Sequence, residues 1–350
     1  MSASRFFRGE RSRPLVMGIL NVTPDSFSDG GRWNGPEAAV RHALELIDAG
    51  ADIIDIGAES TRPNAQPVPE EEEMRRLMPV LAQLIPSIDV PVSVDTYKAS
   101  VAEAAVNEGV AVINDVSGLY DPRMAETAAH CDVPLVVMAS HGTPSTFKTD
   151  QLSEGGVDYA LRFISERIEK AVAAGVREDN IITDPGAGFG FSSDQSMELI
   201  RNSSRFSYGR KYPVLIGPSR KRFVAALYPG MDIDDATAEV CAVAAQAGAD
   251  IVRVHNAART VARLSRRFRR LLFLLLFGLL APVVLLALGG LVVLLVGADV
   301  LPDGDDHAHE RHEDREQGDA ADVELDALEA DVAGDAGQLY GRGRGVQHQI

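Results

Sequence analysis

The chain is 350 residues long, 45% hydrophobic and 24% charged, which is ordinary for a globular protein and long enough for one large domain. Its net charge of -17 is concentrated at the C-terminal end, where 271–350 holds 15 acidic and 4 basic residues. The remaining body is mildly acidic and gives no support for nucleic-acid binding, which wants a basic patch, and two cysteines with no shared motif, Cys131 and Cys241, point to a reducing compartment and not a disulfide framework.

The N-terminal extension 1–14, MSASRFFRGERSRP, has no apolar core of the kind a signal peptide needs. From residue 15 one pattern repeats: a short apolar strand, a polar loop, then a segment of helical period. Strands are expected at 15–20, 52–56, 91–94, 111–114, 134–138, 181–183, 213–216 and 251–254. Helices are expected near 36–49, 70–86, 98–108, 122–130, 156–174, 193–203, 235–248 and 257–269. Gly50, Gly109, Gly175 and Gly248 stand just before strands, where a left-handed helix cap ends the preceding helix. Eight alternating units over 15–270 imply an α/β fold with a parallel sheet closed into a (β/α)8, or TIM, barrel.

After 262 the character changes. Arginines at 263, 266, 267, 269 and 270 lead into 271–298, which is apolar and free of charge and long enough to cross a bilayer as a transmembrane helix at ~1.5 Å per residue. Basic residues before it and acidic residues after it imply a cytoplasmic barrel anchored to the membrane. The acidic tail 299–350 reads as disordered, and its His307, His309 and His312 as solvated tail residues. The alternative for 271–350 is an aberrant reading frame, since the barrel does not need it.

In such a barrel the chemistry gathers at the C-terminal ends of the strands. The first strand opens into NVTPDSFSDGG at 21–31 and the second leads to DIGAESTRP at 55–63. Strand 3 ends at Asp95, strand 4 at Asn114, strand 5 at Met138 and strand 6 at Asp184; strand 7 precedes GPSRK at 217–221, and strand 8 carries Arg253 and His255. A single strand-end Asp more often caps a turn than does chemistry, so the weight lies in their joint placement at one rim. Asp95, Asn114 and Asp184 match the donors of an aminopyrimidine-type ring edge. Arg62, Arg253, His255 and Asn21 suit a phosphate-like group, with Asn21 placed to hold Mg2+ through oxygen. Lys221, beside Ser219, is able to cover a ring face or donate to a carbonyl. A heteroaromatic substrate with a phosphate leaving group follows. The glycines of DPGAGFG at 184–190 do not have dinucleotide-site spacing.

Seven ordered motifs, LNVTPDSFSDGG, DIGAESTRP, SVDT, INDVSG, DPGAGFG, GPSRK and RVH, carry a resemblance to dihydropteroate synthases that spans the whole barrel. The resemblance implies condensation of 6-hydroxymethyl-7,8-dihydropterin pyrophosphate with p-aminobenzoate, giving 7,8-dihydropteroate and pyrophosphate. It implies that Asn21 binds Mg2+, that Asp95, Asn114, Asp184 and Lys221 hold the pterin against Met138, and that Arg62, Arg253 and His255 take the pyrophosphate. Loops with Asp25, Phe27, Thr61, Arg62 and Pro63 would close over p-aminobenzoate near Ser219, and a homodimer through barrel helices is expected. Ala58, Ala139 and Phe191 depart from the usual pattern. The alternatives are a pterin-dependent methyltransferase barrel and a catalytically silent, membrane-tethered pterin binder.

Overall fold

The computed structural model describes residues 7, 11–23, 35–60, 66–140 and 155–265. Eight strands form one parallel sheet: β1 (Leu15–Asn21), β2 (Ile53–Gly57), β3 (Val92–Asp95), β4 (Val112–Asp115), β5 (Leu135–Met138), β6 (Ile181–Asp184), β7 (Leu215–Ile216) and β8 (Ile251–Val254). Their hydrogen-bonded order runs β6-β5-β4-β3-β2-β1-β8-β7, and a lone parallel bridge between Thr183 and Val214 joins the two ends. The sheet is therefore a nearly closed barrel, consistent with the expected TIM architecture.

Helices α1 (Pro36–Asp48), α2 (Glu70–Leu84), α3 (Ala99–Asn107), α4 (Arg123–Cys131), α5 (Gly156–Ala173) and α6 (Ser193–Arg201) follow β1 to β6 in turn, α7 (Arg222–Leu227) and α8 (Ile233–Gln246) both follow β7, and a last helix after β8 begins at 257. The left-handed glycines expected at 50, 109, 175 and 248 are present. Two elements differ from expectation. β7 pairs over two residues rather than four, because Pro213 has no N–H to give a ladder and Val214 contributes only the bridge. The short α7 follows GPSRK directly, and its six residues carry too little periodicity to be read from sequence.

Alternation along the strands divides the interior in two. Val16, Leu20, Ile54, Ile56, Val94, Ile113, Val137 and Val252 face outward into the layer shared with the helices. Leu15, Met17, Ile53, Val112, Val136, Ile182, Leu215 and Ile251 form a separate inner cluster with Phe7, closing the barrel's lower end. The inward positions further along β2, β3, β4, β6 and β8 are polar, so the apolar floor gives way to a largely polar mouth. Among the described residues no helix is long and apolar enough to cross a membrane; the proposed span 271–298 and the tail 299–350 lie outside them.

Candidate active site

Five strands deliver a side chain to the mouth two residues beyond a floor residue. Ile53 is followed inward by Asp55 on β2, Val112 by Asn114 on β4, Val136 by Met138 on β5, Ile182 by Asp184 on β6 and Ile251 by Arg253 on β8. Asp95, Asn114, Met138 and Asp184 are all buried.

Arg253 organises the deepest polar layer. Its Nε donates to Asp55 Oδ2 and its Nη2 to Asp95 Oδ2, both at 2.5 Å. Asn114 Nδ2 donates to the same Asp55 oxygen at 3.1 Å, which leaves the Asn114 amide oxygen as the acceptor it can offer. One guanidinium thus serves two buried carboxylates. Asp55 Oδ1, Ser93 Oγ and Asp95 Oδ1 are buried with no hydrogen-bond partner among the described residues. Unmet acceptors at this depth are costly unless a ligand rich in N–H groups satisfies them.

A second group stands across the mouth. Asp184 Oδ1 accepts from Gly186 N at 2.7 Å. Lys221 Nζ donates to the Ala187 carbonyl and lies 4.0 Å from the centre of the Phe189 ring. The glycines of this loop are required by geometry. A Cβ on Gly186 would lie 1.8 Å from Ala139 O, and one on Gly188 would lie 2.7 Å from Lys221 Cδ.

Burial sets the protonation of these groups. It pushes the Asp95 carboxyl up to about 7 against the pull of Arg253, and the Asp184 carboxyl up to about 6 against the pull of Lys221. It pushes the Lys221 ammonium down to about 7 despite the nearby Asp184. Three groups of one pocket are therefore poised near neutrality.

Towards the β7–β8 side, Ser219 Oγ accepts from the His255 backbone N–H at 3.0 Å and lies 2.8 Å from His255 Nδ1. Asn21 ends β1 half-buried, opposite Gly57 in register. The structure thus brings together Asn21, Asp95, Asn114, Met138, Asp184, Ser219, Lys221, Arg253 and His255 at one end of the barrel. Asp25, Phe27, Thr61, Arg62 and Pro63 lie outside the described residues. Asp55 and Ser93 were not among the sequence candidates. They sit two residues before Gly57 and Asp95, so the period of two that places Asp95 in the mouth also places them just beneath it.

The departures from the family pattern are explained in part. Ala58 is fully buried in the outer apolar layer, and its carbonyl accepts from Arg76 Nη1 at 3.0 Å, so its methyl group has a place. Phe191 is also core, edge-on to Tyr159 with ring centres 6.1 Å apart. Ala139 is buried where the Gly186 backbone passes closest, and His141 lies outside the described residues.

A family model described as pterin binding enzyme matches residues 17–255. The chain is 45% identical over 259 residues to a dihydropteroate synthase of Bacillus subtilis, covering 73% of this chain and 88% of that protein. It is 39% identical over 252 residues to the corresponding synthase of Haemophilus influenzae, covering 91% of it. A structure of the Xanthomonas albilineans dihydropteroate synthase with 4-aminobenzoic acid superposes with a TM-score of 0.68 at 42% identity, covering 72% of this chain and 91% of that one. The same enzyme in complex with 7,8-dihydropteroate gives a TM-score of 0.65 at 40% identity, covering 72% and 92%. With the fold, the polar mouth and these likenesses agreeing, the chain belongs to the pterin-binding enzymes, as one of their dihydropteroate synthases.

Proposed function

We propose that this chain condenses 6-hydroxymethyl-7,8-dihydropterin pyrophosphate with p-aminobenzoate and releases pyrophosphate with 7,8-dihydropteroate. The observation that carries the reading is the buried acceptor set of Asp95, Asn114 and Asp184, with Asp95 Oδ1 unpartnered. An aminopyrimidine edge presents N–H donors in the plane of its ring, and carboxylates that are already desolvated bind such donors strongly. Met138 gives the ring an apolar wall, and Lys221 is placed to reach a ring carbonyl or cover a face.

Asp95, Asp184 and Lys221, the groups poised near neutrality, are assigned to holding the ring, and none is asked to take the proton of the amine. The step we favour is departure of pyrophosphate before the amine attacks. The C–O bond to the methylene breaks with its electrons going to pyrophosphate, and the electron-rich pterin carries the positive charge left behind. The amine nitrogen then forms the new C–N bond and loses a proton. The protein's part is to hold the ring, take up the developing negative charge and place the amine. Arg62, His255 and Arg253 are the groups assigned to that charge, with Arg253 also holding Asp55 and Asp95 in place.

Mg2+ keeps most of its waters and binds through one or two protein oxygens together with substrate phosphates. Asn21, half-buried where β1 ends, offers a hard amide-oxygen donor of the kind such an ion takes from a protein. Asn21 would hold the ion, which when bound supplies charge neutralisation for the leaving pyrophosphate.

The test is to supply both substrates and Mg2+ to the purified full-length chain and follow pyrophosphate and dihydropteroate together. Equimolar, metal-dependent formation of both, lost in Asp184→Ala and Lys221→Ala, is expected. Pyrophosphate without the coupled product would refute p-aminobenzoate as acceptor, and neither product would refute the synthase. We further read 271–298 as a membrane anchor and expect pairing through barrel helices. Fractionation with detection of a tail peptide checks the first, and light scattering checks the second.

A further inference from the structure

Asp234, in the first turn of α8, stands beside the two neighbouring loops, after β7 and after β8, that carry Lys221 and His255. Its Oδ1 accepts from Arg220 Nε at 2.7 Å, and its Oδ2 accepts from Arg220 Nη2 at 3.0 Å and from Asn256 Nδ2 at 3.1 Å. Arg220 lies between Ser219 and Lys221, and Asn256 directly follows His255. One carboxylate therefore ties the β7 loop to the β8 loop.

Both ends of the tie are fastened again. The Arg220 backbone N–H donates to the buried Thr237 Oγ1, one turn along α8, at 3.2 Å. Asn256 Oδ1 accepts from Arg259 N at 3.1 Å, capping the last helix, so its amide group is fixed in the orientation that donates to Asp234. Asp232 caps α8 itself through Asp234 N at 2.9 Å. The helix beneath is seated by the buried Ala236, Ala238, Val240 and Cys241. The support is rigid.

The backbone gives a second, independent reason for the tie. Arg220 has φ of 55°, a left-handed conformation that residues with a Cβ rarely adopt and that the surrounding contacts must hold. The reversal lets its two chain neighbours engage different partners, Ser219 with His255 and Lys221 with the Ala187 carbonyl. An exposed ion pair alone would contribute little. Here the arginine is bidentate, the carboxylate side chain is only 13% exposed, and a third hydrogen bond completes it.

We infer that Asp234 is a positioning residue for the reaction, setting the distance between the Lys221 and His255 sides of the site through Arg220 and Asn256. The inference rests on the function proposed above. It predicts that Asp234→Ala lowers kcat/KM by about 10- to 100-fold, the scale expected when reacting groups are misplaced from a distance. Arg220→Gly, which removes the guanidinium but accepts the left-handed φ, is expected to lose a similar factor. Combining the two should lose no more than either alone, since both break one link.

Arg259→Ala, which removes an exposed pairing with Asp232 and Asp235 at the same helix end, serves as the control for loss of a surface ion pair and should leave the melting point little changed and kcat/KM within about twofold of wild type. Backbone hydrogen exchange on the full chain gives a readout independent of turnover. Asp234→Ala should speed exchange in 217–223 and 253–258 together. Losses that multiply in the double variant, or faster exchange in only one segment, would overturn the inference. If wild type makes no dihydropteroate, the functional reading fails, while the exchange data still decide whether Asp234 couples the loops.

Discussion

Asp95 is asked to do two things that conflict. In the proposed function its carboxylate serves a ligand's N–H donors when ionised, yet burial without enough compensation raises its proton affinity from the usual 3.8 to about 7. A buried acid with a raised pKa binds more protons folded than unfolded, so the folded state loses stability as pH climbs from about 4 to about 7 and stays level above. Asp95→Asn removes this penalty. We predict that the variant's melting point relative to wild type rises as pH is raised across that window, while it no longer binds the pterin substrate. Calorimetry at pH 5.5 and pH 8.5 reads the first effect and titration with the pterin pyrophosphate reads the second. A constant melting difference at both pH values would show that Asp95 does not change charge there. Lys221 has the opposite sign: burial lowers it to about 7, so the folded state binds fewer protons between there and 10.5, and stability rises with pH over that range. The ligand-free site is therefore most costly near neutrality, where its groups must be ready to act.

At the scale of elements, two loops show how local sequence becomes site geometry. After β4, Asp115 turns the chain by accepting from Ser117 N at 2.8 Å, Ser117 Oγ at 2.5 Å and Leu119 N at 2.8 Å. Removing that carboxylate orphans three donors beneath the acceptor Asn114, so Asp115→Ala should cost about 2–3 kcal/mol in urea unfolding. After β6, Gly188 makes room for the aliphatic stem of Lys221. Gly188→Ala would strain a φ of +84° and press a methyl group against Lys221 Cδ. The expected result is a fold-preserving variant with at least about 10-fold lower kcat, read by circular dichroism beside steady-state kinetics; unchanged kcat would show that Lys221 has room elsewhere. These elements also show what could be read from sequence. Short apolar strands between glycine-capped helices are legible because the caps mark where each helix must stop, as at Gly109 before β4. Strand-end residues such as Asn114 and Asp184 are legible because the barrel assigns that position to chemistry. Asp55 and Ser93 escape because they are strand-interior residues, and only the parity of their strands exposes them. Arg220 and Asp234 escape for a different reason: their partnership spans a helix and depends on a backbone reversal that sequence does not announce.

Taken as a whole, the barrel is an unequal ring. Most neighbouring strands share ladders of several residues, as β1 does with β2 from Met17 to Asn21, while β6 and β7 meet at Thr183 and Val214 alone. Thr183 reinforces the join through its N–H, which donates to Pro213 O at 2.9 Å, while its hydroxyl donates to Phe206 O at 2.8 Å just ahead of β7. Asp184 follows immediately on one side of that join, and the loop bearing Lys221 rises from the other. A pterin bound by both residues would span the weakest joint in the ring, acting as a clasp. At a ligand concentration about 100 times Kd, mass action adds about 2.7 kcal/mol to folding, and its location matters as much as its size. Protease cleavage between 202 and 213 should slow with pterin pyrophosphate more than cleavage elsewhere, and uniform protection would count against the clasp. Opening the ring at this joint would pull Asp184 away from Lys221, so holding substrate and holding the barrel shut become a single equilibrium.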